Sequence, residues 1–432
     1  MAAVGTSVPK YDGVSHVTGR TPFVDDVYIP GTLICKGFRS PVSHGTIRSL
    51  DVSEAEKLPG VAAVATWKDV PYNYMDVDWP VFAEKELNFQ GQLIAAVAAV
   101  DEDTAQKAVS LIRADIEELP PLFDPRKAED PDAPQIKPNG NMLDFGGGKT
   151  ECVIELGDVE KGFAMADRII THEYFYPEAE HAQLETQTSL AVPRADGGLD
   201  VYTCTQDLHL NLGSLSAILQ MPLSKLNFVG GIVGGGFGGK NDLHVDPITA
   251  VLALKTGRPV KWRFTREEEM GCSTVRGAWF MKITDGVMND GRIVARQMEE
   301  LQDGGAYMAL NLYCATKHAY YCVGPYYIPN TKVIVRCAFT NKAPSSSMRG
   351  FGVTACSFAT EMQIQRLAEE LRIDPFEIRL KNALRTGEPS HTGSIPDVAA
   401  AIEVLQKLAE ISGRPLCETY TKLRSGDRRT GI

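Results

Sequence analysis

The turn Gly230-Gly231-Ile232-Val233-Gly234-Gly235-Gly236-Phe237-Gly238-Gly239-Lys240 constrains this chain more than any other stretch of it. Between Gly234 and Gly239 every residue except Phe237 is glycine. Without Cβ atoms such a backbone enters φ > 0 freely and can close around something bulky and polar, its N–H groups turned inward. A single large aromatic among those glycines reads as placed. The turn is therefore read as a cradle for a bound group.

Two nucleotide patterns fit the letters. Gly234 to Lys240 satisfies G-x-x-x-x-G-K, but Asn241 stands where a Ser or Thr hydroxyl would hold Mg²⁺. Gly234, Gly236 and Gly239 also satisfy G-x-G-x-x-G, which any run of glycines can match by accident. The dinucleotide fingerprint opens directly into a helix, whereas five residues separate this loop from the helix start at Asp246-Pro247. A phosphate-loop nucleotide-binding or non-catalytic scaffold subunit stays as the alternative from another class.

At 432 residues the chain holds two or three domains with ample core. Its net charge of −11 argues against nucleic acid as a partner. Met1 to Val14 lacks the basic start and apolar run of a signal peptide, and Leu93 to Val100 is too short to span a bilayer. The nine cysteines include no C-x-x-C pair, so zinc or iron–sulfur ligation within the chain is not expected. Reduced thiols in a cytoplasmic protein are the simplest expectation.

The pattern along the chain predicts an α+β protein. Gln92–Val100 reads as a buried strand. Asp103 is expected to cap a helix carrying Ala105, Ala108, Val109, Ile112, Ile116 and Leu119, stopped by Pro120-Pro121. From about Asp124 to Gly148 the composition turns to Pro, Asp, Lys and Gly, a linker by content, with a second domain beginning near Val153. Strand Leu199–Thr205 delivers Gln206, and strand Lys225–Val233 leads into the glycine turn; both sit at strand ends, where ligand sites gather. Asp246-Pro247 opens a helix closed by Gly257. Ala355, Phe358, Ala359 and Met362 mark another helix, Asp374-Pro375-Phe376-Glu377 caps the next, and Val398, Ile402, Leu405 and Leu408 mark the last.

Three separated stretches then combine. Gln206, thirty-one residues before Phe237, joins the glycine turn with Arg349-Gly350-Phe351-Gly352 and the later Asp374-Pro375-Phe376-Glu377-Ile378-Arg379-Leu380-Lys381-Asn382. In order and spacing they resemble the molybdenum-binding subunit of the xanthine dehydrogenase and aldehyde oxidase family, the molybdenum hydroxylases. The leading region also resembles that family's α/β hammerhead domain, through Gly19-Arg20, Asp25-Asp26, Pro30-Gly31, Ser43-His44, Pro59-Gly60-Val61 and Gly91-Gln92. The resemblance covers nearly the whole chain. It implies a hammerhead domain over 1–125, a linker over 126–150, and the first molybdopterin-binding domain over 151–432.

The resemblance also implies roles. Gln206, Gly236, Phe237, Gly238, Arg349 and Gly350 would contact the cofactor, a molybdenum-pterin (molybdopterin or its cytosine dinucleotide form). Gln206, Phe237 and Arg349 would touch ligands of the metal, while the metal itself is held by the pterin and not by side chains. An amide suits Gln206's place because it donates without titrating. Asn241, Lys317 and Phe351 would face the substrate, Phe351 stacking on its ring. The second cofactor-binding half and the catalytic glutamate, a general base, would come from a second molybdopterin subunit, as in nicotinate dehydrogenases with split molybdenum subunits. A 2Fe-2S subunit and an FAD subunit would carry electrons away. Glu361 and Glu377 match no such base and are expected to pair or cap on helices.

Substrate expectations rest on two departures from the xanthine dehydrogenase pattern. Asn241 replaces a purine-reading glutamate, and Lys317 replaces an arginine thirty-two residues before Arg349. Lys317 keeps the positive charge but not the bidentate fork. Hydroxylation of a purine-like N-heterocycle is the first expectation, and nicotinate the runner-up. Aldehydes are disfavoured by Phe351, and carbon monoxide by Gly350, where that branch places a copper-binding cysteine.

Overall fold

A computed structural model describes residues 4–413. The chain forms two units built from interleaved segments: residues up to Leu119 with Ala182–Ser273, and Pro120–His181 with the chain from Thr274 onward.

In the first unit the Leu93–Ala99 strand is buried at every position, as its unbroken apolar run requires. It pairs antiparallel with Leu33–Arg39 on one side and Val61–Thr66 on the other. The sheet continues outward from Leu33–Arg39, which pairs parallel with Val260–Arg263. Beyond it come Thr188–Pro193, Leu199–Thr203 and Leu226–Val229, seven strands in all. One sheet thus holds strands that a division of the sequence at residues 125 and 151 assigns to separate domains.

The expected helix over 103–119 divides in two. A helix spans Glu102–Leu111, and its cap is Asp101, whose carboxylate accepts from the Thr104 N–H at 2.7 Å. Arg113–Glu118 is a strand, pairing antiparallel with Gly45–Asp51 so that Ile116 lies opposite Ile47. Its charged–apolar alternation has period two, and the helical spacing of Ile116 and Leu119 is a coincidence that a waiting partner strand overrides.

In the second unit five strands run in the order Cys152–Leu156, Thr331–Phe339, Ile293–Gly305, Trp279–Val287, Arg168–Tyr176. The stretch read as a linker packs: Leu122, Ala128, Ile136 and Leu143 enter this core, and Leu122 N–H donates to Asn341 Oδ1 at 2.8 Å. Its Pro and Gly content shapes a structured segment, so composition alone misjudges it. Arg296 and Asp285, both fully buried, pair at 2.7 and 2.9 Å in the middle of the sheet. Gln363 Nε2 also donates to Asp285, at 2.9 Å. That bond ties the Val353–Leu371 helix, and the turn preceding it, to the sheet.

The Asp246–Thr256 helix ends at Gly257 with φ 65°, and Asp374 caps Pro375–Asn382, both as expected. The final described helix is Ala401–Ser412, so Val398, 76% exposed, precedes it. Eight described cysteines are free thiols; Cys417 lies outside the described residues. No helix among the described residues is long and apolar enough to cross a membrane.

Candidate cofactor-binding site

Gln206, Gly236, Phe237, Gly238 and Asn241 share the first unit; Lys317, Arg349, Gly350 and Phe351 share the second.

Strand Leu199–Thr203 runs parallel to Leu226–Val229, so their C-terminal ends emerge together. Gln206 follows the first strand and the glycine turn follows the second. Gln206 Oε1 accepts from Gly238 N–H at 2.8 Å and Lys240 N–H at 3.3 Å, while its own N–H donates to Lys240 O at 2.8 Å. Two backbone donors on Oε1 decide which way the amide faces: Nε2 is the end left to donate. A Cβ on Gly236 would lie 2.3 Å from Gln206 Oε1, so only glycine admits the amide here. Gly238's N–H is consumed by Gln206, which leaves Phe237's N–H as a backbone donor with no acceptor among the described residues.

Phe237 has φ 52° and stays 47% exposed, flanked by Gly235 at 92° and Gly238 at 106°. Left-handed backbone in an aromatic residue costs free energy, and an exposed ring on top of it contributes little burial in return. Chain folding alone does not call for that conformation.

Sequence reasoning missed the supports under the loop. Glu185 Oε2 accepts from Gly234 N–H and from Lys240 Nζ, both at 2.7 Å. Gln187 Nε2 donates to Gly239 O at 2.6 Å, and buried Glu269 accepts from Gln183 Nε2 and from Gln187 N–H. Lys240 is fully buried in its ion pair. A phosphate-loop lysine must reach a nucleotide, so this one cannot serve, and the phosphate-loop reading fails on that point. Asn241 is anchored through its backbone, its O accepting from Asn211 Nδ2 at 2.9 Å. Burial pushes the Cys204 thiol up to about 12, making it a packing group and not a thiolate.

In the second unit the Arg349 turn repeats the same device. Phe351 has φ 49° between Gly350 at 100° and Gly352 at 90°. Arg276 Nη2 donates to Arg349 O at 3.0 Å, and Phe351 N–H to Met348 O at 2.6 Å. Lys317, from helix Asn311–Tyr321, places Nζ 5.6 Å from the centre of the Phe351 ring, within cation–π range. Two predicted substrate residues are thus brought together. Glu361 accepts from Tyr326 and Arg379, and Glu377 lies 3.7 Å from Lys381, as expected of helix pairing.

A model of the molybdopterin cofactor-binding domain matches residues 145–383, and one of the aldehyde oxidase and xanthine dehydrogenase a/b hammerhead domain matches residues 18–120. The chain belongs to the xanthine dehydrogenase and aldehyde oxidase family. It is 36% identical to a probable xanthine dehydrogenase subunit of Bacillus subtilis, over 95% of this chain and 55% of that one. It is 33% identical to the nicotinate dehydrogenase large molybdopterin subunit of Eubacterium barkeri, over 94% of this chain and 96% of that one. The solved aldehyde oxidoreductase of Desulfovibrio gigas superposes with a TM-score of 0.86 at 29% identity, covering 94% of this chain and 46% of that one. The chain therefore spans about half the length of several family members and nearly all of another.

Gln206 Nε2, the Phe237 N–H and the glycine cradle form a donor set suited to a molybdenum–pterin group that carries its own sulfur chelate. The residues fit the cofactor that the matched domain binds.

Proposed function

We propose that this chain is a molybdopterin-binding subunit of a multi-subunit molybdenum hydroxylase acting on an electron-poor carbon of a purine-like N-heterocycle. The orientation of Gln206, fixed by two backbone N–H groups on Oε1, carries the reading. Gln206 Nε2 and the Phe237 N–H would hold the cofactor from the first unit. When bound, the cofactor supplies two-electron oxidation of the substrate carbon, with water as the oxygen source. The balance is R–H + H₂O → R–OH + 2 e⁻ + 2 H⁺, so electrons pass to 2Fe-2S and FAD partner subunits. The proton is taken by a glutamate general base contributed by a second molybdopterin subunit.

Phe351 would stack on the substrate ring. Lys317 beside it would offset negative charge developing on a ring nitrogen or oxygen. The same cation also suits a ring carboxylate, and the relative matched over 96% of its length is a nicotinate dehydrogenase subunit. Nicotinate is accordingly the second reading. Turnover of the assembled complex on xanthine, hypoxanthine and nicotinate separates the two. The first reading expects purine turnover at least about tenfold above nicotinate, a discrimination of about 1.4 kcal/mol; activity on nicotinate alone overturns it.

A further inference from the structure

His318 follows Lys317 on the Asn311–Tyr321 helix but points the other way, into the second unit's core, and is fully buried. Its Nδ1 lies 2.9 Å from Gly352 O, the carbonyl that ends the Phe351 turn. A carbonyl only accepts, so Nδ1 carries a proton. Nε2 is bonded to Glu300 Oε2, itself fully buried on the Ile293–Gly305 strand. Trp279, from the neighbouring strand, lies flat on the imidazole at 3.7 Å and 6°. The ring is therefore held at its edge by Glu300 and across its face by Trp279, with Nδ1 left to grip the turn.

The turn leaves no room for slack. A Cβ on Gly352 would stand 2.6 Å from Cys314 O and 3.2 Å from the His318 Cβ, so its backbone lies directly on the helix. The residue that grips Gly352 is adjacent in sequence to the lysine that faces Phe351, and both contacts originate from one helical turn. Arg276 holds the other end of the turn through Arg349 O.

We propose that His318, oriented by Glu300 and Trp279, is a positioning residue that fixes the left-handed Phe351 turn against Lys317 and so sets the grip on the substrate ring. The substrate clause rests on the function proposed above; the anchoring of the turn does not.

Three variants test it in the assembled complex. Asn presents an amide where Nδ1 stands and can keep the bond to Gly352 O, Gln presents its amide where Nε2 stands and cannot, and Leu removes both. Hydrogen exchange of the segment 349–354 is read by mass spectrometry alongside KM, kcat and molybdenum content. The expected result for His318→Gln and His318→Leu is exchange about tenfold faster and KM raised about tenfold, with molybdenum content unchanged. His318→Asn should stay within about threefold of wild type in both. Wild-type exchange in all three variants, or equal loss in Asn and Gln, overturns the proposal. Should Leu fail to fold, the Asn–Gln pair decides alone. If the complex turns over no N-heterocycle, the exchange result still tests the anchoring, and only the functional reading is lost.

Discussion

At the scale of single residues, what distinguishes this chain is where it accepts backbone strain. Among the described residues six non-glycine positions have φ between 40° and 58°, and Gln220 and Arg372 are helix C-caps, where that conformation is ordinary. Phe237 and Phe351 have no such excuse. Both stand out in the sequence because each interrupts glycines, and both are left-handed because neighbouring glycines let the chain pass through. The partners holding them are not legible there: nothing local marks Glu185 as the anchor of Gly234, forty-nine residues away. One signal exists for Glu300. Along its strand Met298, Glu300 and Gln302 are all buried, so polar residues occupy inward positions of an alternating pattern. Gln206 offers a clean test. Gln206→Glu keeps an oxygen to accept from Gly238 and Lys240 but removes the Nε2 donor. Turnover should fall about hundredfold with the melting temperature nearly unchanged, the usual cost of losing one preorganised donor. Gly236→Ala should instead disturb the loop itself, since its Cβ would collide with Gln206 Oε1. Unaltered turnover in Gln206→Glu would remove Gln206 from the site.

Elements follow from local chemistry where the partner is local. The Asp246–Thr256 helix is readable from Pro247 and Gly257, and the strands feeding Gln206 and the glycine turn from their alternating apolar positions, although they stop at Thr203 and Val229, short of the expected Thr205 and Val233. The Arg113–Glu118 strand is not, because its identity depends on pairing with a strand more than sixty residues earlier. Asp246 shows how a buried element carries a pH dependence. Burial pushes its carboxyl from 3.8 up to about 6, against the opposing influence of the nearby Thr203 and Ser189 hydroxyls. Between those values the folded chain binds more protons at this group than the unfolded chain does. Stability therefore falls as pH rises through that window and stays lower above it. Asp246→Asn should raise the denaturation midpoint at pH 7.5, by about 2–3 kcal/mol of stability, and change it little at pH 4. Equal gains at both pH values would contradict this.

On the scale of the molecule, the interleaving of the two units is the least legible feature. Leu33 pairs with Val260 and Ile34 with Lys261, contacts that no window of local sequence contains. That non-local seam is what places Gln206 and the glycine loop in a sheet begun by the hammerhead residues. All the proposed chemistry depends on a bound group at that loop. Molybdenum and pterin analysis of the purified native complex tests this most directly. Close to one molybdenum and one pterin per copy of this chain is the predicted result, with both depleted in a Gly236→Val complex that remains folded. A complex that contains neither, or that keeps its full complement after Gly236→Val, would contradict it.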